Sequence, residues 1–151
     1  MSTKSTLKRE LERLTLHTND SVKGFQKAAE QLQDDNHHLS SHFSKEASAR
    51  QTHADALNSR LQCIGEDEKE RRSLEGTVHH AFISIKDAFT SNDVEAIVDE
   101  AIRGEKKLLE YIEDTFEDVE VMDGETHRVI EALKSDVLVS LQGLEARAKA
   151  A

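Results

Sequence analysis

Histidine and glutamate are common enough in this chain to raise the question of a metal centre. A di-iron carboxylate centre in a helical bundle takes a Glu from each of two helices and a Glu-x-x-His pair from each of the other two. The chain contains eight histidines, and none of them follows a glutamate by three positions. The sequence therefore predicts no metal centre, no cofactor and no catalytic residues, with bound iron or manganese as the alternative.

Two charged residues lie inside stripes that are otherwise apolar. Arg50 falls within about 10° of the centre of the apolar face of its predicted helix, and Glu105 within about 20° of the centre of its own. A guanidinium in the middle of a bundle repels metal cations, but it matches a carboxylate through two parallel hydrogen bonds. Arg50 and Glu105 are therefore predicted to form a bidentate ion pair, as a structural polar core.

Two metal hypotheses compete with this interpretation. The first is a site made from Glu46, His53 and Glu105. Residues 46 and 53 lie two turns apart, about 10 Å along the helix axis, so a single ion needs a third group to bridge them. The second is a surface site, because His38 and His42 have the i, i+4 spacing that can bind zinc or nickel. Solvated histidines are the simpler interpretation at that place.

Three further residues stand out by type. Asp20 and Gly24 lie away from the apolar stripe of the first predicted helix, by about 140° and 100°, which places them on the surface. The alternative is that Gly24 lets a helix predicted at about 73–89 approach closely while Asp20 meets Lys86 or His79. Cys63, near the end of the second predicted helix, is expected to be a small buried hydrophobe.

Helices must position all of these residues, because the chain has no proline and its apolar residues recur at steps of three and four. One domain over residues 1–151 is predicted, with helices at about 5–33, 38–63, 73–89, 93–121 and 125–146. Short corners make antiparallel hairpins of the first two and the last two helices. With the helix at 73–89 as an outside crossover, the fold class is an all-α, ferritin-like antiparallel four-helix bundle, with five helices in all.

Composition narrows the partners and the compartment. The formal net charge is −10 and is spread along the chain, whereas nucleic-acid binding needs a basic face. No apolar run approaches the ~18 residues of a membrane span, and no signal-peptide core follows the first residues. A single cysteine fits a reducing compartment. A cytoplasmic protein with no nucleic-acid partner and no membrane span is expected.

Several short motifs resemble those of one bacterial family. They are Asp20-Ser-Val-Lys-Gly24-Phe25-Gln-Lys-Ala28, then Arg50, then Ile64-Gly65 followed by Ser73-x-x-Gly76-x-x-His79-His80-x-Phe82-x-x-Ile85-Lys86, and finally Arg103-Gly104-Glu105 with Tyr111. Together they resemble an uncharacterised proteobacterial family of ferritin-like four-helix bundles, catalogued as a domain of unknown function. The resemblance implies a fold and no established activity. The chain departs from the family's pattern at Phe82, where a tryptophan is expected, and at Lys134, where a histidine is expected.

Three classes of function remain open on these grounds. A non-enzymatic helical bundle that acts through protein interactions, in a stress or envelope-associated response, is the leading expectation. A di-metal carboxylate protein, either an oxidoreductase or a metal store, is the alternative that the ferritin-like architecture carries. A small-molecule binder with an apolar cavity lined by Phe25, Phe43 and Phe116 is the third. A homodimer or an unidentified protein partner is expected, with the dimer formed through apolar residues outside the main stripes, namely Leu16, Ile83, Ile102, Leu109 and Leu138.

Overall fold

Long helices account for almost all of the chain that the structure describes. The computed structural model describes residues 3–64 and 93–150, with side chains from residue 5 onward. In these ranges α1 spans Thr3–Leu32, α2 spans His37–Ile64, α3 spans Val94–Asp118 and α4 spans Gly124–Ala150. The all-helical fold class and four of the predicted helices are confirmed. The predicted fifth helix, at 73–89, lies outside the described residues.

Polar side chains fix where the helices begin. Asn36 Oδ1 accepts a hydrogen bond of 3.0 Å from the Leu39 N–H at the start of α2, and Asp93 caps α3 by accepting one of 3.0 Å from the Glu95 N–H. At the last corner, Asp123 Oδ2 accepts from the Thr126 N–H at 3.0 Å. Each bond satisfies an N–H that has no partner within its own helix. The corners are therefore specified locally.

Two helix ends differ from their predicted positions. Helix α3 ends at Asp118 rather than near 121, because Val119 turns into an extended conformation and buries its side chain in the core. Helix α4 continues to Ala150, past the predicted end near 146. Arg147 and Lys149 lie in its last turn, where positive charge interacts favourably with the helix dipole.

The four helices stand at the corners of a square. Helix α1 packs against α2 and α3, and α4 packs against α3 and α2, whereas the α1–α4 and α2–α3 pairs lie across the diagonals. The start of α1 shares one apolar cluster with the ends of α2 and α3, so neighbouring helices are antiparallel. Helix α2 therefore ends at one end of the bundle, and α3 begins at the other. Within the described ranges, no helix combines the length and apolar character needed to cross a bilayer.

The core is divided into two apolar clusters by a polar layer. One cluster holds Leu7, Leu11, Leu14, Leu57, Leu61, Leu108, Ile112, Val119, Ile130, Leu133 and Val137. The other holds Phe25, Ala28, Leu32, Leu39, Phe43, Ala47, Ile97, Val98, Ala101 and Leu144. Between them each helix contributes a buried polar residue: Thr18, Arg50, Glu105 and Ser140. Burying polar groups in the middle of a core is costly unless they are paired. The effect of this layer on stability therefore depends on how its side chains are paired.

Candidate functional site

Arg50 is the centre of the polar layer, and its guanidinium makes five hydrogen bonds. Nη1 donates to Glu105 Oε1 at 2.7 Å and Nη2 donates to Glu105 Oε2 at 2.6 Å. Nη1 also donates to Ser21 Oγ at 3.1 Å, Nη2 to Glu46 Oε1 at 3.0 Å, and Nε to Asp136 Oδ2 at 3.1 Å. A guanidinium has five N–H donors, so none is left without an acceptor.

These bonds tie one side chain to all four helices. Ser21 lies on α1, Glu46 on the same helix as Arg50, Glu105 on α3 and Asp136 on α4. Arg50 is 0% exposed and Glu105 is 1% exposed. Since the backbones of α2 and α3 do not come close to each other, the Arg50–Glu105 pair crosses the centre of the bundle. The structure thus brings together the two residues that were predicted as a bidentate pair.

The charges in this layer are unequal, with one cation among three carboxyl groups. Burial by itself lowers the pKa of Arg50, but the hydrogen bonds and charge of Glu105, with the charges of Asp136 and Glu46, outweigh it and raise that pKa. Burial raises the pKa of Glu46 to about 7 against the pull of Arg50, and the nearby Asp136 and Glu105 raise it further. Near neutral pH, the Glu46 side chain is therefore protonated in part of the molecules, which reduces the excess of negative charge around Arg50.

The alternative metal site does not fit this geometry. Both Glu46 and Glu105 accept hydrogen bonds from Arg50, so the guanidinium fills the space between the two carboxylates. His53 lies beside Asp136 instead, with Nε2 3.6 Å from Oδ2. Among the residues that the structure describes, no group of three or more His, Cys, Asp or Glu side chains is arranged to hold a metal ion. At this place in the described part of the chain, a guanidinium stands where the alternative site would need an ion.

The predicted surface pair and the lone cysteine both lie outside the core. His38 and His42 are exposed at the start of α2. Burial against its surroundings lowers the pKa of His42, and the positive charges of Arg147, His38 and Lys45 lower it further. Metal binding at this pair stays a prediction. The expectation that Cys63 is buried is wrong, because its side chain is exposed: two residues after Leu61, it points away from the apolar face.

A cavity of about 230 Å³ lies between α1 and α3, directly beside the polar layer. Its walls consist of His17, Asp20, Ser21, Gly24 and Phe25 from α1, and Glu100, Ala101, Arg103, Gly104, Glu105, Lys107, Leu108 and Tyr111 from α3. Ser21 and Glu105 belong to both features, because each also bonds to Arg50. The small-molecule hypothesis from the sequence predicts a cavity lined by Phe25, Phe43 and Phe116. Of these three residues, Phe25 alone lines the observed cavity.

Asp20 is the least expected member of the cavity wall. The prediction that Asp20 and Gly24 lie on the surface is wrong, since both are buried and Asp20 is only 3% exposed. The suggested contacts of Asp20 with Lys86 or His79 lie outside the described residues. Among the described residues, none donates a hydrogen bond to either carboxyl oxygen of Asp20. Burial raises the pKa of Asp20 to about 6, and the charge of Lys23 partly opposes that rise.

An aromatic pair lies next to Asp20 along the cavity wall. The His17 and Tyr111 rings stack with their centroids 4.2 Å apart, and the Arg13 guanidinium lies 4.9 Å from the centre of the Tyr111 ring. Burial lowers the pKa of His17 to about 4, and the charges of Arg13 and Lys107 lower it further. His17 is therefore neutral at pH 7 and brings no positive charge to the cavity.

Two hydrogen-bond partners of Arg50, Ser21 and Asp136, are not predicted by the sequence. Neither residue is among the candidates that the sequence analysis names. A signal for Asp136 exists: it follows the buried Leu133 by three residues and precedes the buried Ser140 by four. That spacing puts a carboxylate on the flank of the apolar face.

A comparison with protein families matches residues 6–118 to a family described as domain of unknown function DUF2383. The match covers most of the 151 residues. The chain belongs to this family. All residues that line the cavity lie in the matched range, as do Glu46, Arg50 and Glu105, whereas Asp136 lies beyond it. No curated protein and no solved structure matches the chain.

The buried pair generates a stability prediction. Arg50→Ala leaves Glu105 charged and unpaired in the core, so the free energy of unfolding should fall by about 3–5 kcal/mol. The matched control is Arg128→Ala, which removes an exposed i, i+3 partner of Glu125 and should change stability by less than about 1 kcal/mol. Urea unfolding followed by circular dichroism measures both. Equal losses in the two variants would contradict a buried pair.

Because the Asp20 carboxyl is buried, we predict that Asp20→Asn raises the free energy of unfolding by an amount that grows with pH. Below about pH 4 the carboxyl holds its proton in both the native and the unfolded chain, so its ionisation does not change the free energy of unfolding. Between pH 4 and 6 the native chain keeps a proton that the unfolded chain has lost, because the native pKa is about 6. Rising pH therefore weakens the wild type relative to the Asn variant. The gain should reach roughly 1–3 kcal/mol by pH 7.5, at about 1.4 kcal/mol per pH unit between the two pKa values.

Unfolding of Asp20→Asn and wild type at pH 4.0, 5.5 and 7.5 measures this gain. Asp55→Asn, on the exposed face of α2, serves as the control and should show no comparable trend. A loss of stability at pH 7.5 would mean that the Asp20 carboxylate has a stabilising partner.

Proposed function

We propose that this protein is a non-enzymatic helical bundle of ferritin-like arrangement, which acts through binding rather than through metal or redox chemistry. The observation that carries the proposal is the Arg50 guanidinium, which donates to the carboxylates of Glu46, Glu105 and Asp136. A di-metal centre needs carboxylates free to bind cations and histidines one turn away on the same faces. In this protein the carboxylates instead accept hydrogen bonds from the Arg50 guanidinium, which is itself a cation.

The ferritin-like arrangement itself is supported by the order and direction of the described helices. Neighbouring helices are antiparallel, and the end of α2 and the start of α3 lie at opposite ends of the bundle. A connection that runs the length of a four-helix bundle between two hairpins is typical of that arrangement. By analogy, a ferritin-like fold suggests a di-metal function. Because shared architecture is a weak guide to activity, that function is the second candidate.

One specific feature keeps the second candidate open for testing. Three carboxyl groups from three helices surround one point, the Arg50 guanidinium, and His53 lies beside one of them, Asp136. An iron or manganese protein, either an oxidoreductase or a metal store, would have to displace Arg50 from that point. The energetic cost is large, because a buried guanidinium that loses its carboxylate partner becomes an uncompensated charge.

Exposed apolar residues on α4 and on the corner before it offer a surface to which a protein partner could bind. Val139 is 69% exposed, and Leu138 and Val121 are also exposed. Scattered exposed apolar residues are ordinary, but Leu138 and Val139 are adjacent. They support a protein partner or a homodimer, with Leu138 among the residues expected there from the sequence. A cytoplasmic setting is also part of the proposal, supported by the single cysteine of the chain.

Metal analysis of protein purified without a tag tests the proposal. We expect well under one iron, manganese or zinc per chain, and no rise in melting temperature when Fe(II) or Mn(II) is added without oxygen. The variant His38→Ala/His42→Ala serves as the control, because it removes any zinc or nickel held at the exposed pair and leaves the core unchanged. Two iron or manganese ions per chain that persist in this variant would establish the di-metal function instead.

A further inference from the structure

The cavity between α1 and α3 has a size suited to one small organic molecule. Its volume is about 230 Å³, and an apolar cavity of about 150 Å³ in another protein binds benzene. Phe25, Ala101 and Leu108 supply apolar wall, and two glycines, Gly24 and Gly104, keep side chains out of part of it. A β-carbon built on Gly104 would meet no atom within 4 Å. The cavity therefore has room for the apolar body of a ligand.

Asp20 specifies the polar part of that ligand. Asp20 lines the cavity, and its carboxyl group is buried with no hydrogen-bond donor to either oxygen from the residues that the structure describes. Buried carboxylates in proteins are normally paired or hydrogen-bonded, because removing the charge from water costs several kcal/mol. At pH 7.5 the group is mostly ionised, since its pKa is about 6. A ligand that donates hydrogen bonds and carries positive charge would supply what the site lacks.

The two cations of the cavity wall, Arg103 and Lys107, each lie beside a glutamate of α3. Arg103 is bound to Glu100, with its Nε 3.0 Å from both carboxylate oxygens. Lys107 lies 5.3 Å from the centre of the Tyr111 ring, and its Nζ is 3.7 Å from Glu110. Both side chains are exposed, so they stand at the mouth of the cavity. They would repel a ligand with several positive charges, which favours a single ammonium group.

We propose that this cavity binds a small monoamine, whose ammonium group donates hydrogen bonds to Asp20 and whose compact apolar body packs on Leu108, Ala101 and Phe25. The site goes beyond the proposed function, which concerns the Arg50 layer and the exposed face of α4. The two features share a wall, at Ser21 and Glu105. Both oxygens of Glu105 are already bound to Arg50, so the ammonium group is directed to Asp20.

Benzylamine is a suitable probe, because it joins one ammonium group to one aromatic ring. We expect saturable binding to the wild-type protein at pH 7.5, measured by isothermal titration calorimetry. Benzyl alcohol has the same body without the charge, and it should bind at least tenfold more weakly. Benzoate carries the opposite charge and should show no saturable binding. These comparisons need no variant, so they do not depend on the folding of a mutant.

Two variants then locate the site. Asp20→Asn should weaken benzylamine binding at least tenfold, and Gly104→Leu should abolish it by filling the cavity. Gly143→Leu is the matched control, since Gly143 also lies inside a helix with open space around its β-position, but on α4. It should bind as the wild type does. Circular dichroism and melting curves confirm that each variant is folded.

The proposal is wrong if the wild-type protein shows no saturable binding of benzylamine, or if benzyl alcohol and benzoate bind equally well. It is also wrong if either Asp20→Asn or Gly104→Leu binds benzylamine with wild-type affinity, which would place the amine elsewhere on this acidic protein. Because none of these outcomes involves metal content, failure here leaves the non-enzymatic proposal standing.

Discussion

One side chain, Arg50, holds the four described helices in register. It bonds to Ser21 on α1, to Glu105 on α3 and to Asp136 on α4. Apolar contacts alone tolerate small slips of one helix along another, because Leu and Ile side chains can repack. A guanidinium with five fixed N–H directions cannot follow such a slip without leaving a donor unpaired in the core. The layer therefore specifies one alignment of the two hairpins.

This role explains why a costly feature sits in the middle of the core. Replacing a buried ion pair by apolar residues of similar volume is often neutral or stabilising, so the pair is not needed for stability as such. Instead, the pair fixes how α2 lies across from α3, two helices whose backbones do not come close to each other. It also fixes one wall of the neighbouring cavity, because Glu105 and Ser21 are held by Arg50 and line that cavity.

Most of the fold could be predicted from the sequence, because the helices have strong apolar periodicity and the corners carry local capping residues such as Asn36 and Asp123. Charged residues inside an apolar stripe also signalled that Arg50 and Glu105 face inward. Residues on the flanks of the helices could not be placed in the same way. Asp20 and Cys63 both lie off a stripe, yet Asp20 is buried and Cys63 is exposed. That difference depends on which neighbour covers each flank, and periodicity within one helix does not contain this information.

A double-mutant cycle between Arg50 and Glu105 tests the central claim most directly. Arg50→Met, Glu105→Leu and the combined variant are compared with the wild type by urea unfolding. If the two side chains form a buried pair across the bundle, each single variant loses about 3 kcal/mol or more while the combined variant recovers most of that loss. The coupling energy is then about 3 kcal/mol or larger. Losses that add within about 0.5 kcal/mol would contradict the account, because they would show that the two residues act independently.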